Sequence, residues 1–234
     1  MIRRIWRNFS RFWEVDRGLT VFLVLLVVGT FVIPVVIGER PVARFVGDVV
    51  FSLLLVTGAF AVARRRTTAI VVSVSAAAAL VIRWTARLAP SLDLTTWTTA
   101  SSLVTEALLV SIVLKRVFRG GRISRQRIEG AVAAYLLIGL VWADAYELVA
   151  LFVPGAFAGA SAAGLPAHDF VFFSYVTLTT VGYGDITPVV PAARSLANLE
   201  ALIGQLYPAV LLARLVSLEA TWSARNEPGP GDPP

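Results

Sequence analysis

The chain has 234 residues, 57% hydrophobic and 15% charged, with a formal net charge of +6. Its mean hydropathy of +0.76 is too high for a soluble domain, whose surface needs polar cover, and the basic residues fall between apolar runs rather than in a patch suited to nucleic acid. The absence of cysteine excludes disulfides, thiolate metal sites and thiol redox chemistry.

In chain order, residues 1–18 contain "IRRIWRNFSRFWEV", which puts Ile2, Ile5, Trp6, Phe9 and Trp13 on one helical side and arginines on the other. This segment reads either as an interfacial helix lying on anionic lipid headgroups or as a basic tail that enforces topology. Six apolar runs follow, at residues 19–38, 42–63, 67–84, 95–114, 128–153 and 191–218. About twenty helical residues at roughly 1.5 Å each match a hydrocarbon core about 30 Å thick. The runs are continuous rather than alternating, so the expected spanning form is helical and not a barrel. The first run is too long for a secretory leader and is expected to be a retained helix.

Arginine and lysine concentrate before the first run, between the second and third, and between the fourth and fifth. That bias predicts a multi-pass protein of the cell membrane with both termini in the cytoplasm. Trp84 and Trp97 then belong at the outer interface and Trp222 near the inner one. Residues 19–118 form a four-helix unit, 119–127 a basic linker, 128–222 a second unit, and 223–234 a Pro- and Gly-rich tail expected to be disordered. The Gly120–Gly121 pair in the linker is too short and too basic for a dinucleotide site. With no metal-ligand cluster, nucleophile–base pair or phosphate loop, neither an enzyme nor a cofactor is expected.

Between the fifth and sixth runs lies "VTLTTVGYGDITP", residues 176–188. Gly182 and Gly184 can adopt backbone conformations closed to residues with a Cβ, which lets successive carbonyls point the same way. Such a backbone is tolerated at membrane depth only where it lines an aqueous path and is buried by protein. Residues 169–179, "DFVFFSYVTLT", supply a short re-entrant helix, with Asp169 or His168 as its cap and its negative C-terminal end toward the path.

Through "TLTTVGYGDITP" the chain resembles the single-pore, six-helix potassium channels of the voltage-gated-like superfamily, in the prokaryotic type without a charged sensor helix. The resemblance implies an all-α membrane protein of six transmembrane helices plus a re-entrant pore helix and selectivity-filter loop, assembled as a homotetramer among membrane lipids. It makes 19–118 a voltage-sensor-like domain and 128–222 the pore domain. The carbonyls of Thr180, Val181, Gly182 and Tyr183, with Gly184 closing the strand, would replace the hydration shell of K+, the permeant species. Phe172, Phe173, Thr177, Thr179 and Asp185 would support the filter. The family often has tryptophans where Phe172 and Phe173 stand, and some members place a glutamate at Val176. Phenyl rings can pack around Tyr183 but cannot donate a hydrogen bond to its hydroxyl.

In the sixth run, Gly204 has the spacing of a hinge glycine in similar channels, and Pro208 removes an i to i−4 hydrogen bond; both are gate candidates, the alternatives being close packing and a static bend. The fourth run carries one charge, Glu106, where a sensor would carry regular arginines, so voltage dependence is expected to be weak. Asp144, Glu147 and Glu200 fall at similar depth and suggest an acid-sensing cluster, against a purely structural role. Competing functional readings are a weakly selective cation channel and a non-conducting subunit of a potassium uptake assembly.

Overall fold

A computed structural model describes residues 17–37, 41–62, 66–118, 124–159 and 167–226. Nearly all of the N-terminal basic segment, and most of the C-terminal tail, lie outside the described residues, as does the Trp222 side chain.

The first run folds as α1 (Arg17–Val27), a π-helical stretch (Val28–Val32) and α2 (Ile33–Ile37). The Ile33 N–H reaches back five residues to the Val28 carbonyl, a widening the hydropathy pattern does not signal. Gly29 sits in it, where a Cβ would come within 2.7 Å of the Val50 side chain on the next helix. That helix is α3 (Pro41–Val62), followed by α4 (Arg66–Leu88) and α5 (Thr95–Val117). The third run is therefore one turn longer at its C-terminal end than its hydropathy suggests, and the extra turn holds Arg87.

The buried stripe of α5 changes character along its length. Thr99, Ser102, Thr105 and Glu106 occupy its first half, and Leu109, Val110, Val113 and Val117 its second. Each has a neighbour in the set three or four residues away, so one helical face is polar near Thr95 and apolar near Val117. Helix α6 (Arg125–Phe152) buries small residues, among them Gly130, Ala131, Ala133, Ala134, Gly139 and Ala143, which let helices approach on both of its sides. Helix α5 packs along one side, and α7 (Ala167–Leu178) along the other. The last three residues expected in the basic linker, 125–127, begin α6; residues 119–123 lie outside the described residues.

After α6, β1 (Phe157–Ala158) pairs antiparallel with β2 (Thr187–Pro188), Phe157 opposite Pro188. Val189 N–H donates to the Ala156 carbonyl at 2.8 Å, so the two ends of the re-entrant segment are tied together. Helix α8 (Pro191–Asn226) closes the fold and runs past residue 223, where a disordered tail is expected. Five of the described helical runs are long and apolar enough to cross a membrane: Gly18–Val36, Thr67–Leu88, Thr95–Val117, Arg125–Phe152 and Pro191–Leu218. Helix α3 contributes a shorter apolar stretch, Phe45–Ala59.

Candidate ion pathway

Helix α7 turns Phe170, Phe173, Ser174 and Leu178 into the protein and ends where the TVGYG segment begins. His168 and Asp169 lie inside its first turn rather than at a cap, with the imidazole Nε2 3.3 Å from Asp169 Oδ1. Beyond it, Thr180, Gly182 and Gly184 take φ of +59°, +60° and +80°, while Val181 and Tyr183 between them do not take positive φ. Alternating handedness gathers successive N–H groups on one side of the chain and leaves the carbonyls on the other. The hydrogen bonds agree. Thr180 N–H donates to Thr177 O at 2.9 Å, and the N–H groups of Val181 and Gly182 both donate to Val176 O, at 2.9 and 3.3 Å. The first three donors of the segment are thus spent on α7, and residues 180–184 are exposed.

The expected supporting residues divide. Phe172 stacks on Tyr183, ring centroids 6.2 Å apart and planes within 2°. Phe173 does not reach Tyr183; it is buried edge-on against Tyr146 at 4.9 Å and Phe157 at 5.6 Å, because it lies on the α6-facing side of α7. The Thr179 hydroxyl donates to Tyr175 O at 2.6 Å, Thr177 supplies the carbonyl noted above, and the Asp185 carboxylate accepts the Ile186 N–H at 3.0 Å. Gln205 of α8, which the sequence reading does not single out, donates to the Thr180 hydroxyl at 3.2 Å.

The three carboxylates expected to cluster do not. Asp144 and Glu147 are three residues apart and share a face of α6, on which they interact with each other and with Arg83 of α4, while Glu106 of α5 interacts with Asp144. Tyr146, about 200° around the helix from Asp144 at 3.6 residues per turn, faces the other way and meets Glu200 at 2.5 Å. Glu200 is fully buried; its Oε1 lies 2.5 Å from Ser174 Oγ, which is also 2.7 Å from the Gly139 carbonyl oxygen. Similar depth along the membrane normal puts residues at one level, not on one side.

Arg83 also binds Asp48 at 3.2 Å, donates to the Ser102 hydroxyl at 3.0 Å and lies over the Phe51 ring at 3.9 Å. Arg87 binds the other Asp48 oxygen at 2.8 Å.

Gly204 is pressed against the end of α7: a Cβ there would overlap the Leu178 carbonyl oxygen. The same oxygen accepts the Tyr135 hydroxyl at 3.3 Å, and Tyr135 stacks on Tyr207, whose hydroxyl donates to Ala131 O at 2.8 Å. Pro208 lies inside α8, which continues through it. On α6, Gly139 leaves room for Tyr175, since a Cβ would come within 2.6 Å of its ring. Gly139→Ala is expected to cost about 1–3 kcal/mol by overpacking, read as a lower thermal midpoint in detergent than that of Ala133→Gly.

A family profile described as "Ion channel" matches residues 134–219, which include α7, the TVGYG segment and most of α8. Protein LctB of Bacillus caldotenax is 32% identical over 113 residues, covering 46% of this chain and 84% of that protein. The chain belongs to the ion channel family. As an ion channel it is a membrane protein and not an enzyme. It is also similar to two pore potassium channel c of Oryza sativa subsp. japonica, 38% identical over 84 residues, or 36% of this chain. It spans only 17% of the length of that rice protein. LctB of Geobacillus stearothermophilus is 47% identical over 49 residues, 21% of this chain and 36% of that protein. No solved structure matches the chain significantly.

Proposed function

We propose that this ion channel is a potassium-selective, single-pore channel of six transmembrane helices, assembled as a homotetramer in the cell membrane with both termini cytoplasmic. The observation that carries the reading is the alternating backbone of residues 180–184, whose first three N–H groups are bonded to α7, an arrangement that leaves carbonyls for a cation. One protomer supplies one such strand, exposed, with Val181 and Tyr183 53% and 72% accessible; four around an axis would cover it and complete the rings of oxygens. Residues 19–118 then form a sensor-like domain and 128–222 the pore domain. Moving an elementary charge across the membrane is worth about 2.3 kcal/mol per 100 mV. In residues 95–114 of α5 the one charge is Glu106, and Arg83 and Arg87 of α4 are held by Asp48, so voltage has little to act on.

Purified protein in liposomes under a potassium gradient tests this. Flux with potassium, none with sodium, and block by barium are expected; equal sodium flux would replace selectivity by a weakly selective cation pathway, and no flux would point to a non-conducting assembly subunit. Gly182→Ala places a Cβ on a residue at φ +60°, at about 1–2 kcal/mol per subunit. Potassium flux is expected to fall about tenfold or more, each 1.4 kcal/mol being a factor of ten.

A further inference from the structure

Behind the filter, three oxygen–oxygen contacts run in series: Tyr146 Oη to Glu200 Oε2, Glu200 Oε1 to Ser174 Oγ, and Ser174 Oγ to the Gly139 carbonyl oxygen, at 2.5, 2.5 and 2.7 Å. Each is of hydrogen-bond length and needs one hydrogen. Tyr146 has one hydroxyl hydrogen and Ser174 has one. A backbone carbonyl supplies none, and neither does a carboxylate. Two hydrogens cannot make three bonds. We infer that Glu200 binds a proton and stands as a neutral carboxylic acid whose Oε1–H donates to Ser174, bracing α7 between α6 and α8.

The resulting chain is complete. Tyr146 donates to Glu200, Glu200 to Ser174, and Ser174 to Gly139 O, with every hydrogen used once. The surroundings agree: Glu200 and Ser174 are fully buried, and among the described residues no cationic side chain pairs with Glu200. An isolated carboxylate in such a place is costly, whereas a neutral acid with both oxygens engaged is not. The titratable groups that face it are Tyr146 and Tyr135 of α6 and Tyr175 of α7; Asp144 and Glu147 lie on the other side of α6.

When the proton leaves to bulk water, Ser174 keeps one hydrogen for two acceptors. It must give up either Glu200 on α8 or Gly139 on α6, and α7 loses one of the two ties that Ser174 makes. Ser174 is six residues before Thr180, so the loss is felt at the start of the filter. Glu200 is thus a positioning residue for the pathway.

Glutamine imitates the neutral acid, since its amide donates to Ser174 and its carbonyl accepts from Tyr146. Infrared spectra of the purified protein at neutral pH are expected to show a protonated-carboxyl C=O band that disappears on alkalinisation and is missing in Glu200→Gln. Ser174→Ala is expected to shift that band, because the acid loses its acceptor. In liposomes, a measurement that rests on the conduction proposed above, potassium flux of the parent should fall several-fold over the pH range in which the band disappears. Glu200→Gln should keep the parent's neutral-pH flux and stay flat over that range, while Glu200→Ala should lose it. Equal band intensity in the parent and Glu200→Gln, or a band unmoved in Ser174→Ala, would overturn the proton assignment. A Glu200→Gln channel as impaired as Glu200→Ala would overturn the bracing role. If no variant and no parent conducts at any pH, conduction itself fails, and the infrared bands alone still decide the proton.

Discussion

Gly204→Ala is expected to abolish conduction and to destabilise the fold, because the added methyl falls on main chain rather than on a side chain that can rotate away. It would overlap the Leu178 carbonyl oxygen and stand 2.8 Å from its carbon and 3.1 Å from its Cα. Relief requires α7 and α8 to separate, yet Leu178 O also holds the Tyr135 hydroxyl and the filter begins two residues later. Overpacking costs about 1–3 kcal/mol where side chains can adapt; against backbone about 3 kcal/mol is the expected loss, read as a lower thermal midpoint and loss of flux. Pro208 gives the complementary test. Its missing N–H is the one that would bond Gly204 O, so Pro208→Ala restores a helix bond without adding bulk at the contact. It is expected to leave the fold intact and change how often the pathway opens. Should Gly204→Ala match the parent in midpoint and flux, the close contact is wrong; should Pro208→Ala open as the parent does, the bend is static.

The filter segment was legible because its signal is local. Two glycines at alternate positions in an apolar chain announce positive φ, and both take it, at +60° and +80°. The third positive φ, at Thr180, is set by the turn leaving α7 and by the Val176 carbonyl that collects the next two N–H groups, which no residue type foretells. Five of the six apolar runs fold as helices long enough to cross a membrane, and these too were legible from hydropathy.

Partnership was not legible. Glu200 meets Ser174 and Tyr146 across 26 and 54 residues of sequence, whereas depth alone puts it with Asp144 and Glu147. The available signal was angular: Asp144 and Glu147 share a helical face, and Tyr146 does not. A lone serine on the otherwise apolar stretch "FVFFSYV" also called for a polar neighbour. The π-helical turn at Val28–Val32 and the contact beneath Gly204 depend on how closely a second helix approaches, which one helix's pattern does not contain.

Arg83→Leu is expected to be the most damaging change in the first four helices, and Arg87→Leu a mild one, although the two lie four residues apart on α4 and bind the same aspartate. Arg83 is placed where α3, α4, α5 and α6 meet, bonded to Asp48 and Ser102 and acting on Glu106, Asp144 and Glu147. Four carboxylates therefore depend on two guanidinium groups, and Arg83 is the one that reaches all four. Removing one partner of a buried charge pair costs about 3–5 kcal/mol, and of the groups left behind here Glu106 is buried while Asp48, Asp144 and Glu147 are half-buried. Arg83 is 24% accessible, so the lower end, about 3 kcal/mol, is expected. Arg87 touches Asp48 and lies 5.3 Å over the Phe45 ring; its loss leaves Asp48 paired with Arg83, at about 1 kcal/mol or less. Thermal midpoints of the two variants in one detergent decide the matter: a drop several times larger for Arg83→Leu is expected. Equal drops would mean that Asp48, rather than the carboxylates of α5 and α6, is what the arginines serve.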